Sequence, residues 1–215
     1  MAEIDHLVLV VPDLELAIDE VERDLGIRPE VGGRHDGMGT WNALLALDRE
    51  DLPACYLELI AADPTQPDPT GPRPFGIDDD DRRRLVTFAA RPNADESIDG
   101  LVTVLRTHGH DPGDPVPMAR TTPTGGELRW RLTFPTMAAG GVVPFLIDWG
   151  DTPNPATTIG TSASLTRFDA TVPAEVSDLL GALALPGLDT AARSAPGQGP
   201  GLTAELRGPS GTITL

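Results

Sequence analysis

The first sixty residues alternate between extended and helical patterns in an order that restricts the fold more than any other feature of the chain. Residues 4–11, IDHLVLVV, are aliphatic and largely β-branched and end at Pro12, which predicts a strand. Apolar side chains recur at helical spacing in residues 13–25, and Gly26 follows, which predicts a helix and its end. Three more strands are predicted at 30–34, 40–47 and 54–61. The predicted order is therefore βαβββ, a first module over residues 1–62.

The same order of elements begins again after a connector. Residues 63–84 contain DPTQPDPTGPRP and the charge run DDDDRRR, a composition typical of a solvated linker. The elements predicted in residues 85–150 form a second βαβββ module, with segments at 85–90, 95–108, 116–121, 127–134 and 142–149. Residues 151–215 predict a shorter βαββ extension that ends in a hairpin. The sequence thus predicts an α+β protein with two βαβββ modules and a C-terminal βαββ extension.

The composition excludes several classes of partner. The formal net charge of −17 opposes binding to nucleic acid or to an anionic membrane, because both are polyanions. No stretch reaches the ~18 consecutive apolar residues of a membrane helix, and the acidic N-terminal residues are unlike a signal peptide. The single cysteine, Cys55, offers neither a disulfide nor a thiolate cluster for zinc. We expect a cytoplasmic protein, monomeric or homodimeric, whose partner is a small-molecule ligand.

Two ionisable residues lie on strands that are otherwise apolar. Alternate side chains of a strand share a face, so His6 lies beside Val8, and Glu58 lies beside Ile60. Each has an ordinary explanation: a histidine bonded to a backbone carbonyl, and a glutamate at a sheet edge facing water. In one module, however, an imidazole and a carboxylate together provide the usual ligands of a divalent metal. His6 and Glu58 are therefore the first candidate site residues.

Further candidates lie in the glycine-rich segment GGRHDGMGTWN, residues 32–42, and in the second module. Thr40 and Asn42 fall on one strand face, where a hydroxyl and an amide can orient a bound molecule. An ordinary glycine-rich turn is the alternative explanation. The candidates for ligand contacts in the second module are Arg120, Trp130 and Trp149. Trp130 lies between leucines on its strand face, so a place in the hydrophobic core is also open to it.

Three motifs of the chain resemble a known family. IDHLVLVVPDLELAIDEVERDLGI, GGRHDGMGTWNALLAL and CYLELIA are similar to the glyoxalase-like domain of the vicinal oxygen chelate (glyoxalase/bleomycin resistance/dioxygenase) superfamily. The resemblance covers residues 4–62 and extends with weaker motifs over residues 85–150. It implies that the paired modules curl into a half-barrel, a mixed sheet around one pocket.

The resemblance also implies where a metal would bind. Metal-using relatives take one ligand from the first strand and one from the fourth strand of each module. His6 and Glu58 match these positions in the first module. The first strand of the second module, residues 85–89, has no histidine. Asp148 lies one residue from the fourth-strand position. The resemblance therefore implies His6 and Glu58, with Asp148 or His35 to complete the set, as ligands of Zn, Ni, Mn or Fe.

Two functions follow from the resemblance. The first is a metal-assisted lyase, isomerase or dioxygenase that acts on a small oxygenated compound, with Glu58 or His35 as the base that moves a proton. The second is a non-catalytic binding protein of the resistance type, which sequesters its ligand. In that case His6, His35 and Glu58 are polar anchors in a binding pocket.

Overall fold

The computed structural model describes residues 2–79, 81–122, 125–190 and 199–215. The first module comprises β1 (Ala2–Val10), α1 (Leu14–Leu25), β2 (Glu30–His35), β3 (Thr40–Asp48) and β4 (Cys55–Ala62). The second comprises β5 (Arg84–Pro92), α2 (Ile98–Thr107), β6 (Val116–Thr121), β7 (Glu127–Leu132) and β8 (Phe145–Asp148). The C-terminal extension comprises β9 (Ser162–Thr171), α3 (Ala174–Leu183), β10 (Gly201–Arg207) and β11 (Thr212–Thr214).

The predicted fold class is confirmed. The described strands form one large mixed sheet that curls without closing, in the order β11-β10-β9-β3-β4-β1-β5-β8-β7-β6, and β2 also pairs with β3. Each module contains one parallel pair, β1 with β4 and β5 with β8, and the antiparallel pair of β1 with β5 joins the modules. The division into domains at residues 62, 84 and 150 stays a prediction.

The extension completes the edge of β3 that the first module leaves open. Along Thr40–Leu44 this edge pairs with β2, and along Ala46–Asp48 it pairs with β9 in parallel. The register between β3 and β4 runs unbroken from Thr40 to Leu47. Asn42 therefore lies opposite Ile60 and diagonal to Glu58 on the same face of the sheet.

The helices cover one face of the sheet. In α1 the buried side chains are the apolar ones at helical spacing: Leu14, Ala17, Ile18, Val21 and Leu25. Asp13 caps the start by accepting the amide of Leu16 at 3.0 Å, and Gly26 ends the helix at a φ of 75°. No helix within the described ranges is long and apolar enough to cross a membrane. The opposite, concave face of the sheet is left for a site.

Two predicted segments differ from the structure. The strand expected at 142–149 begins only at Phe145, because Pro144 has no amide to donate and a 3-10 turn, Ala138–Gly141, precedes it. The helix expected from residue 95 begins at Ile98, because Ser97 caps it by accepting the amide of Gly100 at 3.0 Å. Both differences are local and leave the order of elements unchanged.

Candidate functional site

A cavity lies on the concave face of the sheet, between the two modules. It measures about 660 Å³ when the solvent-filled space at its open mouth is included. Both modules and the connector contribute to its wall. The lining residues are His6, His35, Met38, Thr40, Asn42, Leu44, Tyr56, Glu58, Ile60, Pro74, Phe75, Met118, Arg120, Trp130, Leu132, Phe134, Pro135, Phe145, Ile147 and Trp149.

The structure brings most of the predicted site residues together around this cavity. Those that line it are His6, His35, Thr40, Asn42, Glu58, Arg120, Trp130 and Trp149. Asp148 does not line it. Asp148 follows the cavity-lining Ile147 on β8, so its side chain points to the opposite face of the strand. Its Oδ1 accepts the amide of Gly150 at 2.9 Å.

His6 is oriented by the fully buried carboxylate of Asp5, its neighbour in the sequence. The β1–β5 register shifts between Ile4 and His6, so Asp5 is the extra residue of a β-bulge. The bulge brings the Asp5 carboxylate to the side of His6, whose Nδ1 lies 2.7 Å from Asp5 Oδ1. Since an ionised carboxylate only accepts hydrogen bonds, Nδ1 carries the proton and Nε2 is left facing the cavity.

Asp5 is itself held by three further donors. Its Oδ2 accepts Arg91 Nη1 at 3.0 Å, Trp149 Nε1 at 3.1 Å and Asn154 Nδ2 at 2.8 Å. Burial lowers the pKa of Arg91, but the charges and hydrogen bonds of Asp5 and Glu3 outweigh it and leave that pKa raised. The buried charge of Asp5 is thus paired with a cation, which the interior of a protein requires.

Glu58 connects His6 to a second row of polar side chains. Its Oε2 lies 3.6 Å from His6 Nε2, and its Oε1 accepts Asn42 Nδ2 at 2.5 Å. The Asn42 oxygen in turn accepts Arg120 Nη1 at 2.7 Å. Asn42 and Glu58 lie on neighbouring strands, while Arg120 reaches in from β6 of the second module. The line Asp5–His6–Glu58–Asn42–Arg120 therefore spans the cavity.

Two glycines of β2 allow Arg120 to cross between the modules. A Cβ at Gly32 would lie 2.5 Å from Arg120 Nη1 and would also overlap the Asn42 side-chain oxygen. A Cβ at Gly33, where φ is +148°, would lie 2.8 Å from the carbonyl oxygen of Thr121. These close contacts require residues without a Cβ, which glycine provides.

His35 and Thr40 form a separate polar pair on the cavity wall. His35 Nδ1 and Thr40 Oγ1 share a hydrogen bond of 2.9 Å across the end of the β2–β3 hairpin. Burial lowers the pKa of His35, which the negative charge of Glu58 only partly opposes, so the ring is neutral at pH 7. A neutral imidazole next to a hydroxyl suits ligand contact as well as proton transfer.

Aromatic rings make part of the remaining wall. Tyr56 stacks on His6 with ring centroids 4.6 Å apart, and Phe145 meets the His6 ring edge-on at 5.5 Å. Burial and then the charge of Asp5 raise the pKa of Tyr56 well above its usual value. The Trp130 and Trp149 centroids are 5.4 Å apart. Trp149 donates to Asp5, whereas Trp130 Nε1 is buried without a hydrogen-bond partner among the described residues.

The connector does more than link the modules. Pro74 and Phe75 line the cavity, and Phe75, at a φ of 62°, packs against Phe145 with centroids 5.7 Å apart. Arg73 fixes this segment by donating to Asp68 and Asp78 and to the Gly39 carbonyl. The expectation of a merely solvated linker is therefore incomplete, because part of residues 63–84 closes one side of the site.

The donors at the cavity do not fit a divalent metal. His6 Nδ1 is occupied by Asp5, which leaves His6 Nε2 and Glu58 Oε2, and catalytic sites usually use three or more protein ligands. His35 also lines the cavity but does not group with these two side chains. The β8 side chains at the cavity are Phe145 and Ile147, which carry no donor atoms. Within the described part of the chain, no three His, Cys, Asp or Glu side chains group to hold a metal ion.

Sequence reasoning missed several residues of the site, among them Asp5, Phe75 and Tyr56. Asp5 was hidden because strict alternation puts it on the face opposite His6, and no sequence signal marks the bulge. Phe75 was hidden because a proline-rich connector predicts solvent exposure. Tyr56 shares the face of Glu58, so the alternation that selected Glu58 also points to it.

Comparison with known proteins agrees with the fold. A hypothetical protein from Staphylococcus aureus has a TM-score of 0.64 at 15% identity, over 100% of this chain and 84% of that chain. Methylmalonyl-CoA epimerase from Mycobacterium tuberculosis has a TM-score of 0.42 at 24% identity, over 68% of this chain and 87% of its own. A Streptomyces coelicolor methylmalonyl-CoA epimerase in complex with 2-nitronate-propionyl-CoA has a TM-score of 0.45 at 18% identity, over 71% of this chain and 97% of its own. The first likeness shows the fold alone, and the two epimerase values are too low to carry an argument.

Sequence comparison identifies the family. No protein of curated function matches the sequence. The glyoxalase-like domain family, in contrast, matches residues 4–183, which is most of the chain and includes β1, β4 and the second module. The resemblance inferred from the sequence motifs is thereby confirmed. The chain belongs to the glyoxalase-like domain family.

Proposed function

We propose that the chain binds a small oxygenated molecule in the cavity and moves a proton on it, as a lyase or an isomerase does. The observation that carries this proposal is the buried line of Asp5, His6 and Glu58, which ends at the cavity. A carboxylate base beside an imidazole that a second carboxylate orients is an arrangement suited to proton transfer.

In this proposal Glu58 is the base. Glu58 Oε1 is occupied by the Asn42 amide, so Oε2 is the oxygen free to accept a proton from the ligand. The proton leaves a carbon next to a carbonyl, and the electron pair of the broken C–H bond moves to the carbonyl oxygen. His6 Nε2, 3.6 Å from Oε2, is placed to take the proton on and to return it. Return of the proton to another carbon completes an isomerisation. If a neighbouring group is expelled instead, the reaction is an elimination.

The surroundings favour this step. Tyr56 and Phe145 cover two sides of the His6 ring and exclude water from it. In a site from which water is excluded, charge–charge and hydrogen-bond interactions are stronger than in bulk solvent. No metal takes part in this proposal, because the donor set does not fit one.

The second candidate is a non-catalytic binding protein. The observation that favours it is the aromatic wall of Tyr56, Phe75, Trp130, Phe145 and Trp149, which suits tight sequestration of a flat molecule. In this case Glu58 and His6 only accept and donate hydrogen bonds. The two candidates share the cavity and differ in whether the bound molecule exchanges a proton.

Proton exchange in D₂O separates the candidates. Small carbonyl compounds that bind the protein are followed by proton NMR for loss of the C–H signal. We expect catalysed exchange that falls about 100-fold or more in Glu58→Gln. Glu127→Gln, at an exposed glutamate paired with Arg129, is the matched control and keeps the wild-type rate. Binding without exchange favours the sequestering protein, and unchanged exchange in Glu58→Gln removes Glu58 as the base.

The partner we propose is a small molecule. The net charge of −17 opposes nucleic acid and anionic membrane surfaces. Light scattering of the purified chain distinguishes the monomer from the homodimer. The cytoplasmic location stays a prediction.

A further inference from the structure

We infer that the molecule bound in the cavity carries a carboxylate, and that Arg120 and Trp130 bind this group. The inference rests on the proposed function and names its ligand class: a small carboxylic acid anion with a flat, apolar body. Neither the sequence pattern nor the family likeness specifies a charge on the ligand.

Arg120 is a buried cation that lacks a directly bonded anion. Its residue is 7% exposed, yet among the described residues it makes one hydrogen bond, from Nη1 to the Asn42 oxygen, and no ion pair. A guanidinium has five N–H donors in a planar fork that matches the two oxygens of a carboxylate. The unused donors of Arg120 therefore form a ready site for a planar anion.

Asn42 keeps the nearest carboxylate away from this guanidinium. Its amide nitrogen donates to Glu58 and its oxygen accepts from Arg120, so the side chain stands between the two charges. Glu58 balances the charge of Arg120 across the cavity but does not fill its hydrogen-bonding positions. A buried charge without a hydrogen-bonded counter-ion is unfavourable, and an anionic ligand removes this deficit.

Trp130 provides a second, independent unsatisfied donor on the same wall. It is 9% exposed, lines the cavity, and its Nε1 has no partner among the described residues. The β6–β7 register pairs Met118 with Trp130 and Arg120 with Leu128, so Arg120 and Trp130 are diagonal neighbours on one sheet face. Such neighbours lie about 7–8 Å apart at the backbone. Trp130 Nε1 is closed off from solvent in this structure, so a carboxylate at Arg120 reaches it when the indole ring shifts.

The rest of the wall defines the body of the ligand. Phe75, Phe145 and Leu132 offer apolar surface and no charge to the part of the ligand beyond the carboxylate. Aromatic rings present flat apolar faces, on which a flat ligand packs well. With its carboxylate at Arg120, such a ligand lies with its body beside Glu58, on the far side of Asn42.

Matched probes test the inference on the intact protein. The probes are benzoate with benzamide, phenylacetate with phenylacetamide, and cinnamate with cinnamamide, so that each pair differs in charge at nearly constant shape. Binding is followed by the indole N–H signals of the three tryptophans in ¹H–¹⁵N spectra. Trp41, whose Nε1 donates to the Ala62 carbonyl outside the cavity, is the internal reference.

We expect at least one carboxylate to bind about tenfold or more tightly than its amide and to shift the Trp130 signal downfield. Arg120→Gln reduces this preference to about threefold or less, whereas Arg129→Gln, on the exposed face of β7, preserves it. Arg120→Lys keeps the charge but loses the planar fork, and we expect an intermediate preference. The wild-type ratio by itself tests the claim if a substituted chain does not fold.

Three results overturn the inference. Amides that bind at Trp130 and Trp149 as tightly as the carboxylates remove the anion site and leave the proposed function intact. A carboxylate preference that survives in Arg120→Gln assigns the anion to another group. Absence of saturable binding of every probe, or shifts confined to Trp41, removes both the anion site and the proposed use of the cavity.

Discussion

Replacing Asp5 by asparagine separates the structural and chemical roles of the buried line. Asp5 is fully buried and accepts four donors, three on Oδ2 and His6 Nδ1 on Oδ1. An asparagine offers one acceptor oxygen. The asparagine oxygen accepts the hydrogen bonds of Arg91, Trp149 and Asn154 only if the NH₂ group of the asparagine faces His6. His6 then changes tautomer, so that Nε2 carries the proton and no longer accepts one from Glu58.

The expected loss of stability depends on the hydrogen-bond partners that Arg91 keeps. Removing one partner of a buried ion pair costs about 3–5 kcal/mol. Arg91 retains Glu3 and the backbone carbonyls of Pro53 and Ala54, which reduces the expected loss to about 2–3 kcal/mol. For a chain of this length that corresponds to a fall of roughly 5–10 °C in Tm.

Three measurements on Asp5→Asn test the reasoning. Urea unfolding measures the loss of stability, and long-range ¹H–¹⁵N spectra of the histidine rings show the tautomer of His6. In D₂O we expect the rate of catalysed proton exchange to fall about 100-fold or more. Glu3→Gln is the matched control, because partly exposed Glu3 also binds Arg91 but does not touch His6. For this control we expect a loss of stability of less than about 1 kcal/mol and no change in the His6 tautomer. A loss equal to that of the control, with the Nδ1–H tautomer retained, would refute the role of Asp5.

Further predictions concern other parts of the site and the core. In Gly32→Ala the new methyl group displaces Arg120 from Asn42, and we expect a loss of about 1–3 kcal/mol in urea unfolding. Gly71→Ala, which has no atom within 4 Å of its new Cβ, is the control, and equal losses contradict the argument. Burial raises the pKa of Cys55 to about 12, so about one thiol in ten thousand is ionised at pH 8. We expect no reaction of the native protein with Ellman's reagent and prompt reaction in urea; rapid native labelling contradicts this. The lowered pKa of His35 means that the unfolded chain takes up a proton near pH 6.5 while the folded chain does not, so stability falls as the pH drops below about 6.5. His35→Gln flattens that part of the pH profile of unfolding, and an unchanged slope shows that His35 does not cause it.

Much of the site could be predicted because strand alternation is a strong physical constraint. Thr40 and Asn42 on β3 and Glu58 on β4 are alternate residues of regular strands, and the unbroken β3–β4 register brings them to one face. The order of elements was equally readable, since helical and extended periodicities change abruptly at prolines and glycines. These features depend on residues close in the sequence.

The remainder depends on contacts between segments far apart in the chain. The bulge at Asp5 arises where β1 meets β5, and the Asn42–Arg120 bond joins residues 78 positions apart. The packing of Phe75 on Phe145 joins the connector to β8. No local pattern encodes such contacts, because they are selected by the packing of the whole sheet.

The metal prediction shows the same limit. His6 and Glu58 do meet, as their strand positions indicated. Asp148 does not join them, because the one-residue offset on β8 turns it away and places Ile147 at the cavity. A difference of one residue along β8 therefore decides whether the carboxylate of Asp148 or the apolar side chain of Ile147 lies at the cavity.

The most direct test of the account is a crystal structure of the protein with a compound that exchanges its proton. The account predicts that the molecule lies in the cavity between the modules, with the exchanging carbon about 3–3.5 Å from Glu58 Oε2. His6 Nδ1 should remain bonded to Asp5 in that complex. A molecule bound in the groove beside Arg34, Trp41 and Asp63, or one bound in the cavity with the exchanging carbon turned away from Glu58, would contradict the account.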